Sequence, residues 1–154
     1  MTFRSLIVGG ALVLALALPA QAQTLLTGAD IDEILNAARG YGSARFIEED
    51  GNPPQITGKI EGVTYQVYFQ NCSDNSSCED INFYLGLADT KLSLEKINEW
   101  NYGKRFGRAY IDQDGDACVE MDLDLVNGVT PEYMDGQFNL WSQVMSGFVD
   151  FARS

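Results

Sequence analysis

The sequence predicts an α+β domain built of helices and of strands that are joined in part by hairpin turns. Segments towards both ends of the chain place apolar side chains at helical spacing, whereas the middle alternates apolar and polar residues as strands do. Short runs rich in Asp, Asn, Gly and Pro separate the strands, as turns do. No internal repeat or linker divides the chain. The expected element order is α-β-β-β-β-α-β-β-α.

The first predicted helix covers residues 29–39. Thr27 can cap its free amide groups, and Asp30, three residues on, can complete a capping box. Gly40 offers a left-handed stop. One face of this helix collects the apolar side chains Ile31, Ile34, Leu35 and Ala38.

Four strands are predicted to follow. The first covers residues 44–48 and ends in the dense turn cluster at residues 50–54. Residues 56–60 and 63–70 flank Glu61-Gly62, a pair typical of a two-residue hairpin turn. The fourth strand alternates the apolar residues Ile81, Phe83, Leu85 and Leu87 with polar ones.

A second helix and two more strands come next. Ser93 is the expected cap of a helix over residues 94–102. The side chains predicted to point inward are Leu94, Ile97 and Trp100 or Asn101. Strands are then predicted over residues 106–111 and 117–125.

A long final helix closes the chain. Thr130 with Pro131 at the first helical position predicts its start, and the apolar pattern runs to about residue 152. One apolar stripe holds Met134, Phe138, Trp141, Met145 and Phe148, and a second holds Tyr133, Leu140, Val144 and Phe151. Together the two stripes are wider than the apolar arc that a helix lying on a sheet needs. We therefore expect this helix either to sit deep in the core or to cover a dimer contact as well.

The N-terminal segment has the three parts of a secretory signal peptide. Arg4 precedes an apolar run over residues 6–18, Pro19 ends that run, and Ala20-Gln21-Ala22 supplies small residues for cleavage. The run is shorter than the about 20 residues that a membrane anchor needs. We expect cleavage after Ala22, a periplasmic or secreted location, one domain over residues 23–154, and no membrane insertion after cleavage.

Charge and composition exclude several activities. The formal net charge is −12, which repels phosphates and disfavours nucleic-acid partners. The chain has 0 histidines, so Ser-His-Asp and Cys-His nucleophile systems and His-ligated zinc are excluded. Carboxylate-only chemistry, as in glycosidases, and binding without chemistry both remain. The sequence indicates no cofactor.

The three cysteines predict one disulfide and one free thiol. Cys72 and Cys78 bracket a polar turn between two strands, a spacing that suits a disulfide in an oxidising compartment. Cys118 lies on the strand face that also carries Glu120, Asp122 and Asp124. Its thiol is expected either to be covered or to be exposed and able to pair between chains.

An acidic segment raises the question of calcium. Asp112, Asp114 and Asp116 stand at alternate positions, as in calcium-binding loops. The EF-hand pattern needs Gly sixth and Glu twelfth, yet Gly115 is fourth and Leu123 is twelfth. A polar hairpin turn is the plain interpretation, so we expect no metal site here.

Residues 97–110 contain a recognisable motif. Its members are Asn98, Trp100, Asn101, Arg105, Phe106, Arg108 and Ala109. This pattern resembles the signature of the YbjN family of bacterial sensory-transduction regulators. The resemblance implies an α+β domain similar to type III secretion chaperones, with helices packed on an antiparallel sheet, and it transfers no catalytic residues.

The same residues have a physical interpretation. Trp100 and Phe106 can anchor a helix-to-strand corner, and Asn98 and Asn101 can satisfy backbone groups where the helix ends. The two arginines are expected to pair with carboxylates. The motif is then a structural corner or a ligand-facing patch, and the candidate binding residues are Asn98, Trp100, Asn101, Arg105, Phe106 and Arg108.

Three functions remain after these exclusions. The first is a non-enzymatic, exported YbjN-like binding or chaperone-like module that engages a protein or peptide partner, with a homodimer as one expected form. The second is a carboxylate-dependent hydrolase of a cell-envelope substrate. The third is a small calcium-stabilised structural domain.

Overall fold

A computed structural model describes residues 24–49, 51–74 and 76–154. The predicted leader, residues 1–22, lies outside the described residues, so its cleavage and the resulting single domain stay predictions. No helix in the described part of the chain is long and apolar enough to cross a membrane.

The observed architecture is one sheet with helices on one of its faces. The elements are α1 (Ile31–Arg39), β1 (Ser43–Ile47), β2 (Gln55–Ile60), β3 (Val63–Ser73), β4 (Ser77–Leu87), α2 (Leu94–Gly103), β5 (Arg108–Ile111), β6 (Ala117–Asp124) and α3 (Pro131–Arg153). The six strands have the spatial order β1-β2-β3-β4-β6-β5, and every neighbouring pair is antiparallel. The α+β prediction and the element order are therefore confirmed.

Strand periodicity decides which face of the sheet is buried. On β3 and β4, alternate residues point to the helices and are buried, including Val67, Phe69 and Phe83. The ring of Phe83 packs against Phe138 and Trp141 of α3, with ring centroids 5.1 and 5.7 Å apart. Burying one such side chain contributes about 1.5–3 kcal/mol, so this layer is a main source of stability.

The start and end of α1 differ from the prediction. The helix begins at Ile31, and Asp30 is its N-cap without a side-chain capping bond. The Asp30 carboxylate instead accepts from the backbone N–H and the hydroxyl of Thr27, at 2.7 and 2.8 Å. Gly40 has φ −63°, so the predicted left-handed stop is wrong. A left-handed residue is unnecessary there because the Gly40 N–H closes a right-handed turn onto Ala37.

One predicted hairpin turn and two predicted helix caps are confirmed. Glu61 and Gly62 have φ values of 49° and 88°, as a tight two-residue hairpin requires. Ser93 and Thr130 each accept a backbone N–H with their side-chain oxygen, both at 3.1 Å. Leu94, however, is 72% exposed, so its predicted inward orientation is wrong. It occupies the first position of α2, where the helix face that meets the core starts only at Ile97.

Helix α3 packs on several elements at once. All five members of its first apolar stripe are buried. In the second stripe Val144 is buried, Leu140 and Phe151 are half-buried, and Tyr133 is 51% exposed. The Phe151 ring lies 5.4 Å from that of Trp100 on α2. The wide apolar arc is thus used largely within the chain, because α3 contacts the sheet, α1 and α2.

Candidate functional site

The motif after α2 forms a structural corner around Trp100. This side chain is 2% exposed, and its Nε1–H donates to the carbonyl of Gly107 at 2.9 Å. Gly107 has φ +79°, and a Cβ there would lie 2.5 Å from a methyl of Val144. Only glycine fits this turn, which aims its carbonyl at the indole. The corner therefore delays the start of β5 to Arg108, later than predicted.

Asn101 hydrogen-bonds to the backbone on the other side of the same corner. Its Nδ2 donates to the carbonyl of Ala109 at 3.0 Å, and its Oδ1 accepts from the N–H of Ala109 at 2.8 Å. Its predicted role in satisfying backbone groups is confirmed, although the groups belong to β5 and not to the end of α2.

The remaining candidate residues lie apart from this corner. Phe106 is 52% exposed, so it does not anchor the corner by burial as Trp100 does. Asn98 and Arg105 are exposed and form no hydrogen bond or ion pair with a described residue, so the predicted backbone contact of Asn98 and the predicted carboxylate pair of Arg105 are wrong. Arg108 forms the predicted carboxylate pair, with Glu120, and its guanidinium lies 5.5 Å from the centre of the Tyr110 ring. The structure thus divides the six predicted residues and does not gather them into one patch.

A different surface stands out once the strands are paired. We define the open face as the side of the sheet opposite the helices. Among the described residues, no helix packs on it. Its central members are Gln66, Tyr68, Asp80, Asn82, Tyr84, Arg108, Tyr110, Cys118, Glu120, Asp122 and Asp124. Strand alternation puts these side chains on the face that the core residues do not use, but they become neighbours only when the strands pair.

Polar contacts order the centre of the open face. Asn82 is 4% exposed, and its Nδ2 donates to Oδ1 of Asp122 at 2.7 Å. The Tyr68 and Tyr84 rings are neighbours, with centroids 5.8 Å apart. Strand register aligns Tyr84 with Glu120, and Glu120 with Arg108. The result is a tyrosine and carboxylate surface whose side chains hold one another in place.

The thiol of Cys118 lies beneath this surface. It is buried, 3.1 Å from the Tyr84 hydroxyl and 3.5 Å from Oδ2 of Asp112. Burial raises the pKa of the Cys118 thiol, and the nearby Asp112 carboxylate raises it further. Burial and the neighbouring thiol likewise raise the pKa of Tyr84. Of the two alternatives for this cysteine, the structure supports the covered thiol.

The acidic segment after β5 forms a tight turn. Oδ1 of Asp112 accepts the backbone N–H groups of Asp114 and Asp116 at 3.0 and 2.8 Å. The backbone N–H of Asp116 in particular lowers the pKa of Asp112. The ammonium of Lys91 lies 2.7 Å from both Oδ1 of Asp116 and the Asp114 carbonyl. Within the described ranges, no three His, Cys, Asp or Glu residues are arranged to hold a metal ion.

The predicted disulfide joins two neighbouring strands. Cys72 of β3 and Cys78 of β4 are register partners, and their sulfur atoms lie 2.11 Å apart. The bond therefore links β3 and β4 next to the turn that connects them.

A comparison with known protein families shows which family the chain belongs to. Residues 30–154 match the family model of YbjN, whose description is "Putative bacterial sensory transduction regulator". The chain belongs to the YbjN family. No curated protein matches the sequence. The family supports a regulatory or binding domain, and the YbjN match includes the whole open face and the Trp100 corner.

Sequence reasoning missed the open-face residues Tyr68, Tyr84, Tyr110 and Asn82. Their strand alternation was visible, but it was used only to define the apolar face. The signal that could have found them is the polar and aromatic composition of the opposite face, read across all the strands at once.

Proposed function

We propose that this YbjN-family chain is an exported, non-enzymatic module that binds a positively charged segment of a protein or peptide on its open face. The observation that carries the proposal is a sheet face without a covering helix in the described chain, lined by tyrosines and carboxylates. Sheet faces exposed to water are common in antiparallel folds, but tyrosine-rich ones are typical of recognition surfaces.

Charge selects the partner. The open face of β4 and β6 carries Asp80, Glu120, Asp122 and Asp124. Arg108 neutralises Glu120, and no other Lys or Arg forms an ion pair with these four among the described residues. A chain with a net charge of −12 adds a long-range field of the same sign. A basic segment is attracted to this surface, whereas nucleic acids and anionic membranes are repelled.

The tyrosines supply contact area. Tyr68, Tyr84 and Tyr110 are half-buried, so each ring is held by the sheet and still presents part of its surface. Tyrosine offers a large rigid area with a polar tip and loses little conformational entropy on binding. Arg108 beside the Tyr110 ring shows the kind of cation–aromatic contact that a basic partner can make here.

Export is part of the proposal. It is supported by the leader-like sequence over residues 1–22 and by a disulfide, which persists in oxidising compartments. Fractionation of the native cells tests it: the mature chain should appear in the periplasm or medium with Gln23 at its N-terminus. An intact leader on a cytoplasmic protein would contradict export without touching the binding proposal.

Binding is tested with peptides of defined charge. Two probes of equal length alternate Thr with Lys or Thr with Glu, and calorimetry measures their binding at low and physiological salt. We expect only the Lys peptide to bind, and salt to weaken it. Asp122→Asn keeps the oxygen that accepts from Asn82 and should weaken binding by about threefold. The matched control, Asp150→Asn on α3, should leave it unchanged.

The result that overturns the proposal is equal binding of the two peptides, or binding that responds to Asp150→Asn as strongly as to Asp122→Asn. A photo-crosslinking residue at position 68, compared with one at position 150, then identifies the natural partner. The captured protein should carry a basic segment at the crosslinked site.

A further inference from the structure

The two edges of the sheet differ in whether their outward-facing backbone groups have hydrogen-bond partners. At the β5 edge, Asn101 takes both outward backbone groups of Ala109, and α2 packs beside the strand. The opposite edge is β1, whose one neighbouring strand among the described residues is β2. Natural proteins usually protect an exposed edge, because its unpaired N–H and C=O groups can pair with another strand.

Hydrogen bonding shows which groups of β1 point outward. The Phe69 N–H donates to the Pro54 carbonyl, so the even-numbered residues along β2 bond to β3. Bonding alternates along an antiparallel strand, so the odd-numbered residues of β2 bond to β1. Thr57 pairs with Arg45, so the backbone groups of Arg45 face β2. The backbone groups of its neighbours Ala44 and Phe46 therefore face away from the sheet.

Those outward groups are only partly satisfied. The Ala44 carbonyl accepts from Nε of Arg39 at 3.2 Å. No described residue hydrogen-bonds to the N–H or the carbonyl of Phe46. The Phe46 side chain is itself 36% exposed.

We propose that β1 pairs with β1 of a second copy of this chain, antiparallel and with Phe46 opposite Phe46 of that copy. The two six-stranded sheets then form one continuous sheet. The pairing gives each Phe46 two backbone hydrogen bonds and covers its ring. This interface lies at the sheet edge, so it is independent of the binding proposed for the open face.

Charge selects this register. An alternative register centres the twofold axis on Arg45 and sets like charges directly opposite each other, which is destabilising. With Phe46 at the axis, Arg45 faces Ile47 of the second copy, and its diagonal neighbours are Glu49 and Arg45 of that copy, so the two arginines are no longer directly opposite and each gains a carboxylate neighbour. Diagonal neighbours are about 7–8 Å apart, within reach of long side chains.

A second ion pair, between Arg39 and Glu48 of the second copy, forms on the side of the sheet that carries the helices. Phe46 at the axis puts Ala44 opposite Glu48 of the second copy, and Arg39 lies at the Ala44 carbonyl. Arg39, Arg45, Glu48 and Glu49 are all exposed and form no ion pair among the described residues. Symmetry makes each pairing twice. Each copy has two cations near the start of β1 and two anions just past its end. In an antiparallel pair, the cations of one copy therefore lie near the anions of the other.

The first test places cysteines at the interface of the full chain. Two Phe46→Cys chains have Cα atoms about 5.5 Å apart in this register, which permits a disulfide. Two Ser43→Cys chains on the same strand lie about 20 Å apart and should not cross-link. Mild oxidation followed by non-reducing electrophoresis should give a dimer only with Phe46→Cys. Equal cross-linking of both variants, or of neither, overturns the proposed register.

The second test uses charge exchange and leaves Phe46 in place. Sedimentation velocity up to millimolar concentration should show a reversible dimer of the unaltered chain. Arg45→Glu should weaken it by about tenfold, because two attractions become repulsions. Adding Glu49→Arg should restore it. A chain that stays monomeric throughout, or a double variant as weak as the single one, overturns the proposal. A monomer that still binds the Lys peptide would leave the open-face proposal intact.

Discussion

The side-chain amide of Asn101 makes two hydrogen bonds to one residue, Ala109. Its Nδ2 lies 3.0 Å from the Ala109 carbonyl and its Oδ1 lies 2.8 Å from the Ala109 nitrogen. The amide thus takes the place of a second neighbouring strand, because β5 pairs only with β6 in the described part of the chain. Ala109 is 3% exposed, so water has little access to these backbone groups. This pairing closes one edge of the sheet and distinguishes it from the β1 edge.

Asn101→Ala should destabilise the fold. It leaves the N–H and the carbonyl of Ala109 buried without partners, which costs about 2–4 kcal/mol in the free energy of unfolding. Asn98→Ala, three residues earlier on an exposed position, should change it by less than about 0.5 kcal/mol. Urea denaturation followed by circular dichroism measures both. Equal effects of the two variants would show that the Ala109 contact is unimportant.

Tyr65→Phe should not destabilise the fold, although Tyr65 is fully buried. Its hydroxyl has no hydrogen-bond partner among the described residues, and burial raises its pKa to about 12. Removing an unsatisfied buried hydroxyl leaves the free energy of unfolding unchanged or raises it by up to about 1 kcal/mol. Tyr84→Phe is the matched comparison, because its hydroxyl contacts Cys118. It should cost about 0.5–1.5 kcal/mol. The opposite ranking would contradict the assigned contacts.

Cys118 should make stability fall at alkaline pH. Its pKa is raised in the fold, chiefly by burial, so the folded state holds the thiol proton more tightly than the unfolded state. The contribution is complete below the unfolded pKa of about 8.5 and is lost as pH rises through the folded value. Cys118→Ala should therefore lose less stability than the unaltered chain between about pH 8 and pH 10. Native protein should also react slowly with Ellman's reagent, and a fast reaction would contradict the burial.

Calcium should leave the melting temperature unchanged. The ammonium of Lys91 already lies between the carboxylate of Asp116 and the carbonyl of Asp114, where a cation would otherwise be attracted. Asp112 is occupied by backbone N–H groups of its own turn. Differential scanning fluorimetry with excess calcium and then with chelator measures this directly. A clear rise with calcium would revive the calcium-stabilised alternative.

Local signals predicted most of the fold. Alternation located the strands, Glu61-Gly62 predicted a hairpin, Ser93 and Thr130 predicted caps, and the spacing of Cys72 and Cys78 predicted their bond. These features depend on residues close together in the chain. Leu94 was predicted to point inward and Phe106 to anchor the corner, because large apolar side chains are usually buried. Their exposure follows from the direction in which the Gly107 turn and the first turn of α2 leave the core.

The candidate site was less predictable. Trp100 and Asn101 were found, since the motif combines an indole and an amide near a helix end. Arg108 was found as a carboxylate partner. The open face was not, because no short segment contains it: Tyr68, Tyr84 and Tyr110 come from three strands far apart in sequence.

The sequence by itself determined the elements of this protein, their order, the Glu61-Gly62 hairpin and the disulfide, because periodicity and turn chemistry act over a few residues. Only the tertiary structure decided that β6 lies between β4 and β5. That placement sets Asp122 beside Asn82 and covers Cys118 with Tyr84. It also puts Asn101 on one edge of the sheet and leaves β1 at the other. Pairing between distant strands depends on how whole faces pack together, which no local pattern encodes.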